Sequence, residues 1–402
     1  MTQRRILVAV GGGIAAYKIP ELVRAFRRVG HEVRCVLTES AGHFVSPLSL
    51  QTVSGQPVRS QLFDAAEEGS IDHITLADWA ELVVVAPATA NLMARLAHGL
   101  ADDLVSTLAL ATRAPLLLAP AMNVHMWEHP ATQANLSLLR ERGAQLVGPG
   151  SGELACGYEG EGRMAEPDEI AARSEILLGR RDLSGVRVLV TAGGTREPVD
   201  SVRFLVNRSS GKMGYEVARE VAVRGGEAVL VSAPTALPTP EGTRRVDVVT
   251  ALEMREAVLA ELPDCDVVVM AAAVADFRPA SASPTKLRKE DLPEEAGLRL
   301  DLVRTPDILA EICRDKAARV VVGFAAESHD VLASAQRKLA RKGCDLIVAN
   351  DISESSSGFD VDRNTVSFVW PESPVEELPP LSKQEVAAQL LDRVSKLLDH
   401  RR

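Results

Sequence analysis

The chain has 402 residues, which is too long for one ordinary hydrophobic core, so two domains of about 180–200 residues are expected. Its composition, 46% hydrophobic, 25% charged and 3% aromatic, is typical of a soluble globular protein. The formal charge of −10 argues against a protein that binds along the nucleic acid backbone. No apolar run approaches the ~20 residues of a membrane helix, and the N-terminal residues do not resemble a signal peptide.

The five cysteines are odd in number and widely scattered, and no pair has the spacing of metal ligands. This pattern favours reduced thiols, which predicts a cytoplasmic protein.

Predicted strands and helices alternate along the first half. An apolar strand at residues 6–10 ends in three glycines, and Pro20 predicts that the next helix starts late or kinks early. Residues 91–112 are predicted to form one long helix. Further buried strands are predicted at residues 33–37, 82–86 and 116–119. This alternation predicts a parallel sheet with helices on both faces.

A charged break at residues 180–185 precedes a second series of strands and helices. Its strands are predicted at residues 186–190, 228–231, 267–270, 320–324 and 346–349. Residues 382–398 predict an amphipathic helix, with a capping box formed by Ser382 and Glu385. Both halves begin with a glycine-bearing turn between strand and helix, but they are not copies. We therefore predict an α/β protein with two different, doubly wound, Rossmann-like domains.

One stretch, residues 150–164, has five glycines in fifteen residues around a single cysteine, Cys156. It has no apolar period of 2 or 3.6, so neither a strand nor a helix is predicted. We interpret it as a flap that brings a thiol over a site, with Gly157, Gly160 and Gly162 as hinges.

Polar groups follow the predicted strands of the first half, at the sheet edge where open α/β folds bind ligands. Residues 11–13 suit a phosphate on backbone N–H groups, although a tight structural turn is the alternative. Thr89 is either a ligand contact or a helix cap. Asn123 could hold a carboxylate or a flavin edge, or be a turn residue. His73 is either a base or a structural residue.

These motifs occur in the same order in flavin-dependent cysteine decarboxylases. The shared features are residues 12–18, His73, residues 87–91, residues 120–123 and the Cys156 flap. The first half, over about residues 4–180, is most similar to the 4′-phosphopantothenoylcysteine decarboxylase family. The resemblance implies a flavodoxin-like flavoprotein domain over residues 1–183 with FMN as its cofactor.

In that family FMN oxidises the thiol end of the substrate, which creates the electron sink that lets CO₂ leave, and the ene-thiol is then reduced. The resemblance implies that His73 is the base or orienting group, that Asn123 holds the carboxylate and that Cys156 is the general acid. It implies FMN contacts at Gly12, Gly13, Ile14, Ser40, Ala86, Thr89 and Thr107. Gly13 stands where many relatives have Ser.

The second half carries anion-binding chemistry near two predicted helix starts, at residues 191–196 and 207–214, without Walker A spacing. Asp276 follows a strand, and the basic run 286–289 comes soon after it. A carboxylate beside cations favours a triphosphate with Mg²⁺, whereas a solvated basic face is the alternative. Lys338 and Lys342 share a helix face, where an anion would bridge them unless both are simply solvated.

Together these motifs resemble the phosphopantothenate–cysteine ligase family, over about residues 184–399. That family makes an acyl-cytidylate from CTP and 4′-phosphopantothenate and then joins cysteine. The resemblance implies a ligase domain over residues 184–402, with Asn207 on the acyl-cytidylate and Lys286 stabilising charge during cytidylyl transfer. It places Arg203 near a dimer contact. CTP-site residues are implied at Ala271, Ala272, Ala273, Asp276, Thr305, Pro306, Asp307, Ile308, Phe324, Lys338 and Lys342. Asp276 is also the candidate Mg²⁺ ligand, and Arg288 stands where the family usually has Lys.

Both halves in this order resemble the bacterial bifunctional family of coenzyme A biosynthesis proteins. That resemblance implies trimeric contacts in the first half, dimeric contacts in the second and a dodecamer overall, with the flavin between protomers. The partners expected are small-molecule substrates, with neither nucleic acid nor membrane. Two alternatives stay open on the residues: an NAD(P)-dependent oxidoreductase, which lacks a full G-x-G-x-x-G here, and a non-enzymatic regulatory flavoprotein.

Overall fold

The structure is a computed structural model that describes residues 3–62, 72–153, 157–288, 290, 298–327, 329–351 and 363–401. The chain divides into two compact units, Met1–Gly179 and Arg180–Arg402. Each has its own sheet and its own buried apolar clusters on the two faces of that sheet.

The first unit is built on a five-stranded parallel sheet in the order β2-β1-β3-β4-β5, the flavodoxin-like order of a doubly wound fold. Its strands, with the hairpin β6-β7, are β1 (Arg5–Val10), β2 (Glu32–Leu37), β3 (Leu82–Ala88), β4 (Leu116–Pro120), β5 (Gln145–Leu146), β6 (Gly150–Glu153) and β7 (Glu159–Arg163). All seven residues of β3 are buried, as expected of a central strand covered on both faces.

The helices of the first unit are α1 (Ile19–Arg28), α2 (Pro47–Ser54), α3 (Asp72–Trp79), α4 (Ala90–His98), α5 (Leu104–Ala111), α6 (Val124–Glu128), α7 (Pro130–Glu141) and α8 (Pro167–Leu178). A short 3₁₀ turn, Ile14–Lys18, precedes α1, and Pro20 lies in the first turn of α1. The late helix start predicted from Pro20 is therefore confirmed.

Two predictions for this unit are wrong. Residues 91–112 form two helices, because Gly99 ends α4 in the left-handed conformation and Asp103 starts α5 through a capping box with Ser106. The glycine-rich stretch was expected to lack strands, but β6 and β7 pair antiparallel. Its backbone forms a ladder even though its side chains have no apolar period.

The last helix of the first unit packs back on its first elements. His31 Nε2 lies 2.6 Å from Glu175 Oε1, and the Arg4 backbone N–H donates to His31 Nδ1 at 3.2 Å. The Arg4 guanidinium also donates to the Leu178 carbonyl at 3.1 Å. Helix α8 thus completes this unit by contacts with residues near β1 and β2.

The second unit is built on an eight-stranded sheet in the order β12-β11-β8-β13-β16-β17-β19-β20. Its strands are β8 (Arg187–Ala192), β9 (Arg196–Pro198), β10 (Phe204–Val206), β11 (Glu227–Ser232), β12 (Thr243–Asp247), β13 (Val267–Met270), β14 (Phe277–Pro279), β15 (Leu302–Arg304), β16 (Val320–Glu327), β17 (Leu346–Asp351), β18 (Arg363–Asn364), β19 (Val366–Val369), β20 (Glu376–Glu377) and β21 (Leu381–Ser382). The first six strands in this sheet order, β12-β11-β8-β13-β16-β17, are parallel and follow the Rossmann order. The last two, β19 and β20, are antiparallel to their neighbours.

The helices of the second unit are α9 (Lys212–Val223), α10 (Ala251–Glu261), α11 (Ile308–Arg314), α12 (Val331–Lys342) and α13 (Lys383–Arg401). Helix α13 starts at the predicted capping box, with reciprocal bonds between Ser382 and Glu385. Its buried face joins the core of this sheet, and Asp392 pairs with the buried guanidinium of Arg224 at 3.0 Å. The predicted fold class, two doubly wound Rossmann-like domains, is confirmed.

Candidate active sites

The first unit has a cavity of about 1330 Å³ at the carboxyl edge of its sheet. Turns after β1, β2, β3 and β4 line it, together with the end of β7. The order of strands reverses between β1 and β3, and ligands bind at such switch points. The volume exceeds the ~300–1000 Å³ of an ordinary ligand pocket, so there is room for a cofactor and a substrate together. The predicted residues that line it are Gly12, Gly13, Ile14, Ser40, Thr89 and Asn123.

The glycine turn after β1 has no room for a side chain at Gly11 or Gly12. A Cβ at Gly11 would come within 3 Å of the Pro87 carbonyl, and one at Gly12 would come within 3 Å of Ser40 Cβ. The 3₁₀ turn Ile14–Lys18 starts directly after Gly13. Bare backbone that opens into a helical turn suits the phosphate of a flavin nucleotide, so this cradle fits FMN.

Thr89 and Asn123 border the cavity and also cap helices. Thr89 Oγ1 accepts from the Leu92 N–H at 3.3 Å, and Asn123 Oδ1 accepts from the His125 N–H at 2.9 Å. Both structural roles that the sequence allowed are therefore present. Capping fixes the two side chains at the rim, which suits a binding role as well.

The hairpin β6-β7 is docked on the turn that carries Asn123. The Met122 N–H donates to the Gly162 carbonyl at 3.0 Å, and the Trp127 indole donates to Glu161 at 3.1 Å. A Cβ at Gly162 would collide with the Met122 carbonyl, and one at Gly160 would lie 2.9 Å from Val124. Gly160 and Gly162 are thus sites of close packing, which contradicts their interpretation as hinges.

Cys156 lies outside the described residues. Gly157, the next described residue after it, lines the cavity. The end of β7 also lines the cavity, through Gly162 and Arg163, so the segment that follows residues 154–156 belongs to the wall of this site.

Charged groups at the cavity were not predicted as site residues. Lys18 and Arg163 line it, and both pair with Glu166, at 2.8 and 2.9 Å. The hydrogen bond from Lys18 holds the pKa of the Glu166 carboxyl below its ordinary value. Arg95 also lines the cavity and pairs with Asp103 at 2.6 Å. Lys18 was part of a recognised motif, but single charged residues give no spacing signal.

Three predicted residues are not among those that line this cavity. His73 is half-buried on α3, and Ala86 is fully buried within β3. Thr107 lies on α5, where its hydroxyl donates to the Ala101 carbonyl at 3.3 Å. Their proposed roles need either another arrangement or a second copy of the chain.

In the second unit the turns after β8 and β13 are bonded together at the switch point. The Ala273 N–H donates to the Gly193 carbonyl at 2.8 Å, and Thr195 Oγ1 accepts from the Ala275 N–H at 3.0 Å. A Cβ at Gly214 would lie 2.7 Å from Ala192, so this glycine allows α9 to pack closely on β8. This is the packing role that the fold gives to small residues near a nucleotide site.

Most predicted residues of the second site converge on the segment after β13. Asn207 Nδ2 donates to the Val274 carbonyl at 3.1 Å. The Thr305 hydroxyl donates to the Ala275 carbonyl at 2.5 Å, and the Thr305 N–H donates to the Asp276 carbonyl at 3.0 Å. The start of α11, residues 305–308, is thereby joined to residues 271–276.

The two predicted lysines of α12 reach the same edge. Lys338 Nζ donates to the Phe324 carbonyl at 2.7 Å, and Lys342 pairs with Asp307, which caps α11. Burial lowers the pKa of the Lys342 ammonium, and the Asp276 carboxylate opposes that shift. Lys342 is thus a partly buried cation between two carboxylates, which suits contact with a phosphate.

Lys286 is exposed on the loop after β14. Lys289 lies outside the described residues. Within the part that the structure describes, no group of three or more His, Cys, Asp or Glu side chains could hold a metal ion. Asp276 alone does not form a Mg²⁺ site, so the residues present fit only a metal that arrives with nucleotide phosphates. Over the same residues, no helix is long and apolar enough to cross a membrane.

Two protein families match the chain in succession. The Flavoprotein family matches residues 1–176, and the DNA/pantothenate metabolism flavoprotein C-terminal domain matches residues 183–398.

Full-length relatives share both halves. The coenzyme A biosynthesis bifunctional protein CoaBC of Vibrio vulnificus strain YJ016 is 44% identical over 398 residues, covering 99% of this chain and 98% of the relative. The protein of that name from Escherichia coli K12 is 46% identical over 390 residues, covering 96% and 95%. The Bacillus subtilis 168 relative is 42% identical over 401 residues, covering 99% and 98%.

Proposed function

We infer that this chain, a member of the family of bifunctional coenzyme A biosynthesis proteins, catalyses two consecutive steps of that biosynthesis. It is a phosphopantothenate–cysteine ligase and a phosphopantothenoylcysteine decarboxylase. The observation that carries this conclusion is the similarity to bifunctional relatives over almost the whole chain. The resemblance read from the motifs is thereby confirmed, and neither the NAD(P)-dependent alternative nor a purely regulatory role is needed.

We assign the decarboxylase to residues 1–183, with FMN as its cofactor. The Flavoprotein match and the side-chain-free cradle at Gly11 and Gly12 support this assignment. Bound FMN would supply reversible two-electron oxidation of the cysteinyl thiol end of the substrate. Gly12, Gly13, Ile14, Ser40 and Thr89 would hold the cofactor, and Ala86 and Thr107 remain predicted contacts.

The chain's own residues would then orient the substrate and move protons. Asn123, fixed at the cavity rim by its cap, would hold the carboxylate that leaves as CO₂. His73 would act as the base or orienting group, supplied by another protomer because it does not line the cavity of its own chain. Cys156 would return a proton at the ene-thiol stage from the hairpin that borders the site.

We assign the ligase to residues 184–402, with CTP as the activating nucleotide and Mg²⁺ on its phosphates. The convergence of residues 271–276, Thr305, Asp307 and Lys342 at one switch point supports a nucleotide site there. Pro306, Ile308, Phe324 and Lys338 would complete it. Asn207 would orient the acyl-cytidylate, and Lys286 would neutralise charge on the oxygens of the transferring phosphoryl group.

We further propose that the protein works in the cytoplasm as a dodecamer of trimeric and dimeric contacts. A flavin between protomers would explain why His73 is away from the cavity of its own chain. Arg203 would lie near the dimeric contact.

A single assay tests the two activities. The purified chain is given 4′-phosphopantothenate, cysteine, CTP and Mg²⁺, and pyrophosphate, CO₂ and 4′-phosphopantetheine are measured. We expect all three, with a flavin absorbance that co-purifies with the chain. Absence of both pyrophosphate and CO₂ would exclude the bifunctional assignment, and activity with ATP in place of CTP would exclude the nucleotide preference.

A further inference from the structure

The carboxylate of Asp200, which was not a predicted site residue, is buried and bonded to the loop that carries Lys286. Asp200 lies in the turn between β9 and β10, and its side chain has no solvent exposure. Burying a carboxylate costs free energy unless its oxygens accept hydrogen bonds. The groups that donate these bonds therefore indicate which parts of the chain the carboxylate holds.

The two oxygens of Asp200 serve different partners. Oδ1 accepts from the Val202 and Arg203 N–H groups, both at 2.8 Å, and so shapes its own hairpin. Oδ2 accepts from the Leu287 N–H at 3.2 Å, far along the chain. A turn needs only the first oxygen, so the second has another task.

Arg203 contacts both Asp200 and the same loop. Its Nη1 lies 3.4 Å from Asp200 Oδ2, and its Nη2 donates to the Leu287 carbonyl at 3.1 Å. The peptide units before and after Leu287 are therefore both held. Lys286 shares the first of these units, so its backbone position is fixed by Asp200.

Electrostatics agree with this geometry. Burial by itself raises the pKa of Asp200, but the N–H groups of Val202, Arg203 and Leu287 outweigh it and the pKa is lowered. Asp200 therefore remains a full anion at neutral pH, which keeps both its peptide bonds and the Arg203 contact strong.

We propose that Asp200 is a positioning residue for the ligase reaction, which places Lys286 against the nucleotide by clamping the Leu287 peptide together with Arg203. The inference rests on the proposed ligase activity and on the role given there to Lys286. A lysine that stabilises a transition state must be held in place, since displacement by about 1 Å can cost up to ~100-fold in rate.

The variant Asp200→Asn tests the clamp selectively. Its one carbonyl oxygen can keep the two hairpin bonds of Oδ1, and its NH₂ group then faces the Leu287 N–H, where two donors repel. The matched control is Asp345→Asn. Asp345 is also a buried carboxylate of this unit, and it accepts from the Val321 N–H at 2.8 Å, but it precedes β17 at the opposite edge of the sheet.

Four quantities are measured on the full-length protein. We expect Asp200→Asn to lower kcat for pyrophosphate release roughly 10- to 100-fold, with the KM for CTP nearly unchanged. Trypsin cleavage after Lys286, followed by mass spectrometry, should accelerate several-fold because the peptide is released. Decarboxylation of supplied 4′-phosphopantothenoylcysteine should match wild type, and Asp345→Asn should change neither kcat nor this cleavage.

Wild-type kcat in Asp200→Asn would overturn the proposal. So would an equal loss of kcat in Asp345→Asn, or a loss of kcat without faster cleavage at Lys286. If the wild-type chain releases no pyrophosphate, the ligase assignment itself fails. In that case the cleavage rates still decide whether Asp200 holds the loop.

Discussion

Cys35 and Cys265 are buried, free cysteines. Burial raises the pKa of the Cys35 thiol to about 12 and that of Cys265 to about 11. Such thiols stay protonated and unreactive at neutral pH. Cys156 lies outside the described residues, and Gly157, which follows it, lines the cavity of the first unit. Cys156 is therefore the cysteine that we propose as the proton donor.

We predict that Cys156→Ser separates CO₂ loss from the final reduction. A serine hydroxyl is a much weaker acid than a thiol, so the variant should release CO₂ but stall at the oxidised ene-thiol product. Mass spectrometry of the product mixture, alongside CO₂ measurement, checks this outcome. A full yield of 4′-phosphopantetheine would remove Cys156 from the mechanism.

A second residue-scale prediction concerns Lys286. Lys286→Gln keeps side-chain length but removes the cation, so the developing charge of cytidylyl transfer loses its partner. We expect pyrophosphate release and amide formation to fall at least ~100-fold, while decarboxylation of supplied substrate stays at the wild-type rate. Loss of both activities in this variant would mean that the two sites do not act separately.

At the scale of elements, the hairpin β6-β7 and the turn before α6 form one packed piece. Their contacts join the strand that follows Cys156 to the residue proposed for the substrate carboxylate, Asn123. Displacing either element should therefore disturb both groups, and this coupling is specific to the decarboxylase unit.

Gly162→Ala tests that coupling. Its methyl group would collide with the Met122 carbonyl, and overpacking of this kind costs about 1–3 kcal/mol. We expect decarboxylation to fall about tenfold or more because the Asn123 turn shifts, with pyrophosphate release unaffected. The control is Gly143→Ala, at φ +92° with no neighbour within 4 Å, which has only backbone strain of about 1–2 kcal/mol. Equal decarboxylation rates in the two variants would contradict the coupling.

The sequence predicted helices and strands correctly where apolar runs were continuous. It failed where backbone conformation, and not a side-chain pattern, determines the element. Strands such as β1, β3 and β13 were located to within two residues because their buried runs are apolar throughout. The hairpin β6-β7 was missed because a glycine ladder has no hydrophobic period. The break between α4 and α5 depends on one left-handed glycine, Gly99, and the adjacent cap.

The candidate sites show the same division. Motifs predicted the turns at the sheet edges, such as the one around Asn123, because parallel strands bring their carboxyl ends together. Asp200 and Glu166 were missed, since each acts through a partner distant in sequence. Arg95 was missed because its pairing with Asp103 depends on the break between α4 and α5, which the sequence did not predict. Distances between such residues follow from the packed structure, and no local spacing encodes them.

At the scale of the whole molecule, the position of His73 bears on the oligomeric state. If another protomer supplies His73, decarboxylation requires an oligomer. We expect a particle of about twelve times the 43.1 kDa chain mass by sedimentation or mass photometry. Dilution to monomers should abolish decarboxylation, and full activity in a monomeric fraction would refute a shared site.

The way each unit is closed bears on how the protein is made. Helix α8 completes the first unit through His31 and Arg4, so the whole of that unit emerges from the ribosome ahead of the second unit. The second unit needs α13, whose buried face and Asp392 complete its core. Because N-terminal domains generally fold first during synthesis, the first unit can fold while the second unit is still being translated. Under the proposed assignment, synthesis thus runs opposite to the order of the two reactions, and a slow step in translation after residue 180 would delay the second unit alone.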